Sequence, residues 1–116
     1  MDNWKNIRLE LSKSPRFPVG SVSRAYLLRL PLDDNDFVDE AALLNSPCLA
    51  TVRRHWSSDP DEAGLIKKVD GALAMSCDGT SARMLRLDGR PMRLGHQVSV
   101  AEPDGAVLAF RIASVR

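Results

Sequence analysis

Two histidines, His55 and His96, and two cysteines, Cys48 and Cys77, are this chain's candidates for nucleophilic, acid–base or metal chemistry. They stand apart from one another, with no CxxC, HxxxH or CxxH spacing. The short-range ligand pairs on which zinc sites are built are therefore missing, and no metal is expected. Two lone cysteines make no disulfide framework. Free cysteine is among the most buried residue types, so both are expected as small core residues. A general base needs an orienting carboxylate and a nucleophile nearby. For His96 those are Asp88 and Cys77, and no spacing joins them. GxGxxG, GxxxxGK and GxSxG do not occur, so neither a phosphate cradle nor a nucleophile elbow is expected. Asp33-Asp34-Asn35-Asp36 starts like a calcium loop, but Val38 and Leu44 stand where that loop needs Gly and Glu. No catalytic residue and no cofactor is expected. An enzyme using His96, His55 or Cys77 is the third reading of the chain.

Arginine carries the denser signal. In Arg53-Arg54-His55-Trp56, strand alternation puts Arg53 and His55 on one face, a pair suited to phosphate or carboxylate. Trp56 then points to the core, with Arg54 beside it at the rim. A second group comprises Arg83, Arg86, Arg90 and Arg93, with Asp88 the one acidic residue among them. The candidate ligand-binding residues are Arg53, His55, Trp56, Arg90, Arg93 and His96. Against these stands an acidic run, Asp33 to Glu40, with five acidic residues and no basic one between Arg29 and Arg53. The net charge of +1, from 16 Lys+Arg and 15 Asp+Glu, is thus a sum of separated patches that can steer a partner or a second copy. That balance disfavours nucleic acid, whose binding modules carry a large positive excess. No aromatic residue lies between Trp56 and Phe110 to stack on bases.

The elements that must position these residues read mostly as strands. Ile7, Leu9 and Leu11 alternate with Asn6, Arg8 and Glu10, the period of a half-buried strand. Pro15, Pro18 and Gly20 make residues 12–20 a loop. From Ser21 to Leu30, Val22, Tyr26, Leu28 and Leu30 share one face, which Arg24 interrupts; Leu27 lies on the other. Pro31 ends the run. Asp36 or Asp39 caps a helix of about two turns near residues 39–45, stopped by Asn45-Ser46-Pro47. A strand follows over Leu49–Trp56, then a loop over Ser57–Gly64. Asp70-Gly71 marks a two-residue hairpin that pairs Val69 with Ala72, Lys67 with Ala74 and Ile66 with Met75. Turns are expected at Asp78-Gly79-Thr80 and Asp88-Gly89-Arg90-Pro91, flanking a strand over Ala82–Leu87. An alternating strand follows Gly95, then a tight turn at Glu102-Pro103-Asp104-Gly105. The last strand sets Leu108, Phe110 and Ile112 on one face. Met75, Met84 and Met92 are core fillers.

Seven or eight short strands with turn signals between them predict an all-β, mainly antiparallel domain spanning residues 1–116, a small barrel or sandwich. Ile7-Arg8-Leu9-Glu10-Leu11, Leu30-Pro31-Leu32-Asp33, Thr51-Val52-Arg53-Arg54-His55-Trp56 and Phe110-Arg111-Ile112-Ala113-Ser114-Val115 resemble a group of short bacterial proteins without assigned function. That resemblance implies a stand-alone cytosolic protein and adds no activity. The PilZ-type cyclic-dinucleotide receptors are also small barrels, but their RxxxR and [DN]xSxxG signature is absent. Arg24 and Arg29 are five apart, and Ser81 stands at the wrong offset from Asp78. With no apolar run near the ~18 residues of a membrane span and no signal-peptide pattern at Met1-Asp2-Asn3-Trp4-Lys5, a cytoplasmic location is expected. The leading functional expectation is a non-enzymatic module that binds a partner protein or forms a homodimer, because a small sheet must cover or pair its exposed strand edges. The alternative is a small anionic ligand or nucleic acid held by Arg53 and His55 with the Arg83–Arg93 patch.

Overall fold

Period-two alternation of apolar and polar residues gives a chain one buried face per strand, and eight such strands bury their apolar faces by closing on each other. The computed structural model describes residues 3–15, 17–69, 72–77, 83–86 and 91–116. Its strands are β1 (Trp4–Leu11), β2 (Ser21–Pro31), β3 (Thr51–Trp56), β4 (Glu62–Val69), β5 (Ala72–Cys77), β6 (Arg83–Arg86), β7 (Gln97–Ala101) and β8 (Val107–Val115). Each pairs antiparallel with its neighbours in sequence, and β1 pairs with β8, so the sheet is a closed barrel. Helix α1 (Glu40–Asn45) and a 3-10 turn (Pro47–Leu49) connect β2 to β3. The expected helix is therefore present, and of its two candidate caps Asp39 is the one used. Its Oδ1 accepts from the Ala42 amide at 3.1 Å.

Barrel closure sorts the side chains. Ile7, Leu9, Leu28, Leu30, Val52, Ile66, Met75, Leu85, Val100, Phe110 and Ile112 point inward and are buried. At the centre, the Tyr26 ring meets Phe110 at 5.1 Å and Trp56 at 5.9 Å, both edge to face, the arrangement favoured by the ring quadrupole. The aliphatic interior is thus organised around an aromatic trio. Charged residues stand outside on the same strands: Arg8, Arg29, Arg53, Lys67 and Arg111. This is the reverse of a transmembrane barrel, whose lipid-facing side is apolar. No helix of the described residues is long and apolar enough to cross a membrane.

The two barrel ends differ. At the base, α1 buries Leu43 and the 91–96 loop buries Met92, both in the core cluster that includes Leu30 and Leu32. At the other end, the 12–20 loop and the Glu102–Ala106 turn leave a mouth. Gly20 shapes the first of these. Its φ of +68° is in the left-handed region, and a Cβ there would stand 2.8 Å from the Leu11 carbonyl oxygen, so only glycine fits without displacement.

Four expectations need correction. Met84 lies outside the buried core, because alternation along β6 turns Leu85 inward instead. β3 begins at Thr51 rather than Leu49, because Leu49 closes the 3-10 turn by donating from its amide to the Ser46 carbonyl at 3.1 Å. β4 begins at Glu62 within the expected loop, because Ala63 and Glu62 continue the ladder opposite Arg53 and Arg54. Cys48 is exposed, since that same turn runs over the outside of the barrel. The pairings of Val69 with Ala72, Lys67 with Ala74 and Ile66 with Met75 are as expected. The turns proposed at Asp70-Gly71, Asp78-Gly79-Thr80 and Asp88-Gly89-Arg90, and the side chains of Val22 and Cys77, lie outside the described residues.

Phe110→Ala should remove about 3–5 kcal/mol of stability, read as a lower urea midpoint. Leu44→Ala, at a position 77% exposed on α1, should change it by less than about 0.5 kcal/mol. Similar losses at both positions would contradict an interior packed around Phe110.

Candidate functional site

The barrel wall divides the residues that sequence spacing groups together. Arg53 and His55 lie on the outer face of β3, as alternation requires. Trp56 points inward from the same strand and is buried. The His55 Nδ1 pairs with Asp61 Oδ1 at 2.8 Å, which takes His55 away from an anion beside Arg53. Arg93 donates to Asp36 Oδ2 at 3.0 Å near the base of the barrel. His96 occupies an exposed turn, where no described carboxylate bonds its ring. Arg90 lies outside the described residues. Of the six candidates, Arg53 alone remains in a concave feature of the outer surface.

That feature is a groove of about 690 Å³ across β8, β1, β2, β3 and β4. Strand register builds it from two adjacent rows. One runs Ser114, Arg8, Leu27, Arg53, Ala63, and the next runs Asn6, Arg29, Thr51, Leu65. Among the described residues, Arg8, Arg29, Arg53 and Arg116 line it, and no Asp or Glu side chain does. Glu10, in the neighbouring row, is shared by Arg8 at 2.8 Å and Arg111 at 3.3 Å, so one carboxylate answers two guanidinium groups. Leu27, 36% exposed, supplies an apolar floor. Arg53 forms no ion pair or hydrogen bond with a described residue.

The acidic run meets basic residues of its own chain instead. Asp36 holds Arg93, and Glu40 holds Lys68. Asp33 Oδ1 accepts from the Asn35 and Phe37 amides at 2.8 and 3.0 Å, while Asp39 caps α1. Of the Arg83–Arg93 group, Arg93 is the described member that meets this run, while Arg83 pairs with Glu62 and Glu102.

The second concave feature is the barrel mouth, a cavity of about 310 Å³ bounded by Phe17, Arg54, Trp56, Arg83, Glu102 and the 103–108 segment. Here charged side chains point inward. Tyr26 Oη donates to Glu102 Oε1 at 3.1 Å, and Arg83 Nε donates to Glu102 Oε2 at 2.5 Å. Arg83 Nη1 stands 3.6 Å from Glu62 Oε2, close enough for an ion pair and too long for a hydrogen bond. Arg54 stacks 4.0 Å over Trp56 and Arg24 stacks 4.6 Å over Phe17. Burial pushes the Tyr26 hydroxyl well above its ordinary value, and the adjacent Glu102 charge adds to the shift. Burial of Arg83 works against its charge, but its bond to Glu102 and the charges of Glu102 and Glu62 more than offset this and raise its pKa.

Fold and site together define a closed, eight-stranded antiparallel barrel with a basic outer groove and a charged inner mouth. No protein-family model matches the chain, and no curated protein or solved structure shows significant similarity to it. Sequence spacing missed the mouth although its signal was present. Arg24, Arg54, Glu62 and Arg83 each occupy an inward position of an otherwise apolar alternation. The groove had no such signal, because Arg8, Arg29 and Arg53 become neighbours only through strand register.

Tyr26 is the chain's one tyrosine, so its phenolate absorbance reads this site alone. The unfolded chain releases that proton near the ordinary value of 10.0 and the folded chain only above it. Stability from this group is therefore complete below pH 10 and is lost as pH rises through the folded value. Folded protein should show no phenolate absorbance near pH 10, and Tyr26→Phe should flatten the alkaline fall in stability. Titration of the folded protein at the ordinary value would contradict the buried hydroxyl.

Proposed function

We propose that this chain is a non-enzymatic binding module of the bacterial cytosol, and that it docks a protein partner presenting several carboxylates on its outer groove. One observation carries the reading: Arg8, Arg29, Arg53 and Arg116 surround an apolar floor with no acidic side chain among the groove's lining residues. Arginine is enriched in protein interfaces and lysine is depleted, and all the basic residues of this groove are arginine. Arg8 and Arg53 stand two strands apart, about 10 Å between backbones. Spread over β1, β2 and β3, these guanidinium groups suit a partner that offers more than one carboxylate.

Strand edges no longer support association, since a closed barrel has none to pair. A second copy of the chain is a poor partner because its acidic run is already occupied by Arg93, Lys68 and backbone amides. Nucleic acid is disfavoured by the absence of an aromatic side chain among the groove's lining residues. His55 has an orienting carboxylate in Asp61 but no described Ser, Thr or Cys side chain bonds to its ring, and His96 lies in an exposed turn, which favours a non-catalytic role. The charged exterior of the barrel suits water rather than a bilayer, and the free, exposed thiol of Cys48 suits a reducing compartment such as the cytosol.

Fluorescence anisotropy at low salt with a labelled acidic, leucine-containing peptide tests this reading, with a basic peptide and a single-stranded oligonucleotide as comparators. The acidic peptide should bind, weaken with added salt, and lose about tenfold or more in affinity with Arg53→Ala. Tighter binding of the oligonucleotide would assign the groove to nucleic acid. A dimer abolished by Arg53→Ala, without peptide affinity, would assign it to a second copy. Either outcome overturns the proposal, as does no affinity for any probe.

A further inference from the structure

The mouth of the barrel is separate from the outer groove, and its polar groups are incompletely used. Among the described residues, five buried side-chain N or O atoms lack a hydrogen-bond partner, and four belong to this cluster: Arg24 Nε, Arg54 Nε, Arg83 Nη1 and Glu62 Oε2. Arg83 Nη1 and Glu62 Oε2 face each other at 3.6 Å as an ion pair, whereas Arg24 Nε and Arg54 Nε have no polar partner, although buried polar groups are nearly always satisfied. They are not loose surface groups. The side chains of Arg54 and Arg83 are each 13% exposed and that of Glu102 is 12% exposed.

We propose that this mouth binds an amino-acid-sized zwitterion, with its carboxylate on Arg54 and Arg83 and its ammonium toward Glu102 and Asp104. The charge count of the lining selects this class. Among the described residues, Arg54 and Arg83 face the cavity with Glu102 and Asp104, and Asp59 stands 3.9 Å from Arg54, so a bare anion would meet at least as much repulsion as attraction. A ligand carrying both signs satisfies both halves. Guanidinium nitrogens on β3 and β6 converge from two sides and suit a carboxylate, which accepts several charge-assisted bonds. Phe17, Trp56 and Leu108 complete the wall and suit an apolar side chain. The volume of about 310 Å³ lies at the lower end of ligand pockets, which favours an amino acid over a nucleotide. Tyr26 and Glu62 act as positioning residues. Tyr26 donates to Glu102 from below, and Glu62 holds the far side of Arg83 at 3.6 Å.

The cross-peak of the Trp56 indole N–H in a nitrogen–proton correlation spectrum reads the cavity wall directly. L-Phenylalanine and L-leucine are the probes, with 3-phenylpropionate lacking the ammonium and phenethylamine lacking the carboxylate. At least one of the two amino acids should shift that peak saturably, and each truncated analogue of phenylalanine should bind about tenfold or more weakly, as expected for one lost charge-assisted contact. Arg54→Gln should weaken binding similarly, whereas Arg86→Gln, on the exposed side of β6, should not. The analogue series on the unaltered protein decides the matter even where Arg54→Gln fails to fold. Equal shifts from 3-phenylpropionate would replace the zwitterion site with a simple anion site, and no saturable shift from either amino acid would overturn the proposal. The peptide assay on the outer groove reads a different surface, so each proposal can fail alone.

Discussion

The seam between β1 and β8 is the constraint on which the rest of the structure depends. Asn6 and Arg116 exchange backbone hydrogen bonds across it at 2.7 and 2.9 Å. Further along, Leu9 faces Ile112 and Leu11 faces Phe110, after a register shift between Arg8 and Leu9. Without this seam the sheet would have two edges, and its inner face would be open along one side. With it, every strand has a neighbour on each side, and the sole distinction left to side chains is inside or outside. The seam also places Ser114 and Arg116 next to Asn6 and Arg8, joining the end of the chain to the arginine rows that cross β1, β2 and β3.

Closure also explains why charge gathers at one end. An eight-stranded barrel has room inside for side chains or for one small ligand. The base is filled by Leu43 and Met92, whose apolar side chains need no partners. At the mouth, the inward positions of β2, β3, β4 and β6 carry Arg24, Arg54, Glu62 and Arg83. Each of these costs desolvation unless it is paired. The Glu102 carboxylate, delivered by the turn between β7 and β8, repays part of that cost by accepting from both Arg83 and Tyr26. Stacking of Arg54 on Trp56 and of Arg24 on Phe17 holds the other two guanidinium groups in place.

The fold was legible where local chemistry decides it. The alternation of Ile7, Leu9 and Leu11, the Asp39 cap and the pairing around Val69 and Ala72 all follow from short-range pattern and turn chemistry. The faces of Arg53, His55, Arg54 and Trp56 were legible for the same reason. What could not be read was anything set by register between strands. Arg8, Arg29 and Arg53 are distant in sequence and adjacent in the sheet. Asp36 meets Arg93 only after four strands, β3 to β6, have carried the chain half way around the barrel. The mouth was partly visible, since Arg24 interrupts an apolar face, but its meaning required Glu102 to arrive from across the barrel. Cys48 shows the opposite limit, because burial tendencies of a residue type give way to a turn that carries it outward.

Backbone amide hydrogen exchange along β1 tests closure most directly. Consecutive amides of an antiparallel strand point alternately to its two neighbours, so in a closed barrel those of Ile7 to Glu10 bond alternately to β2 and β8. All of them should exchange slowly and at similar free energies of opening. Fast exchange at every second position, with slow exchange between, would show an open edge at β1. That result would contradict the closed barrel and return strand pairing to the list of ways this protein could meet a partner.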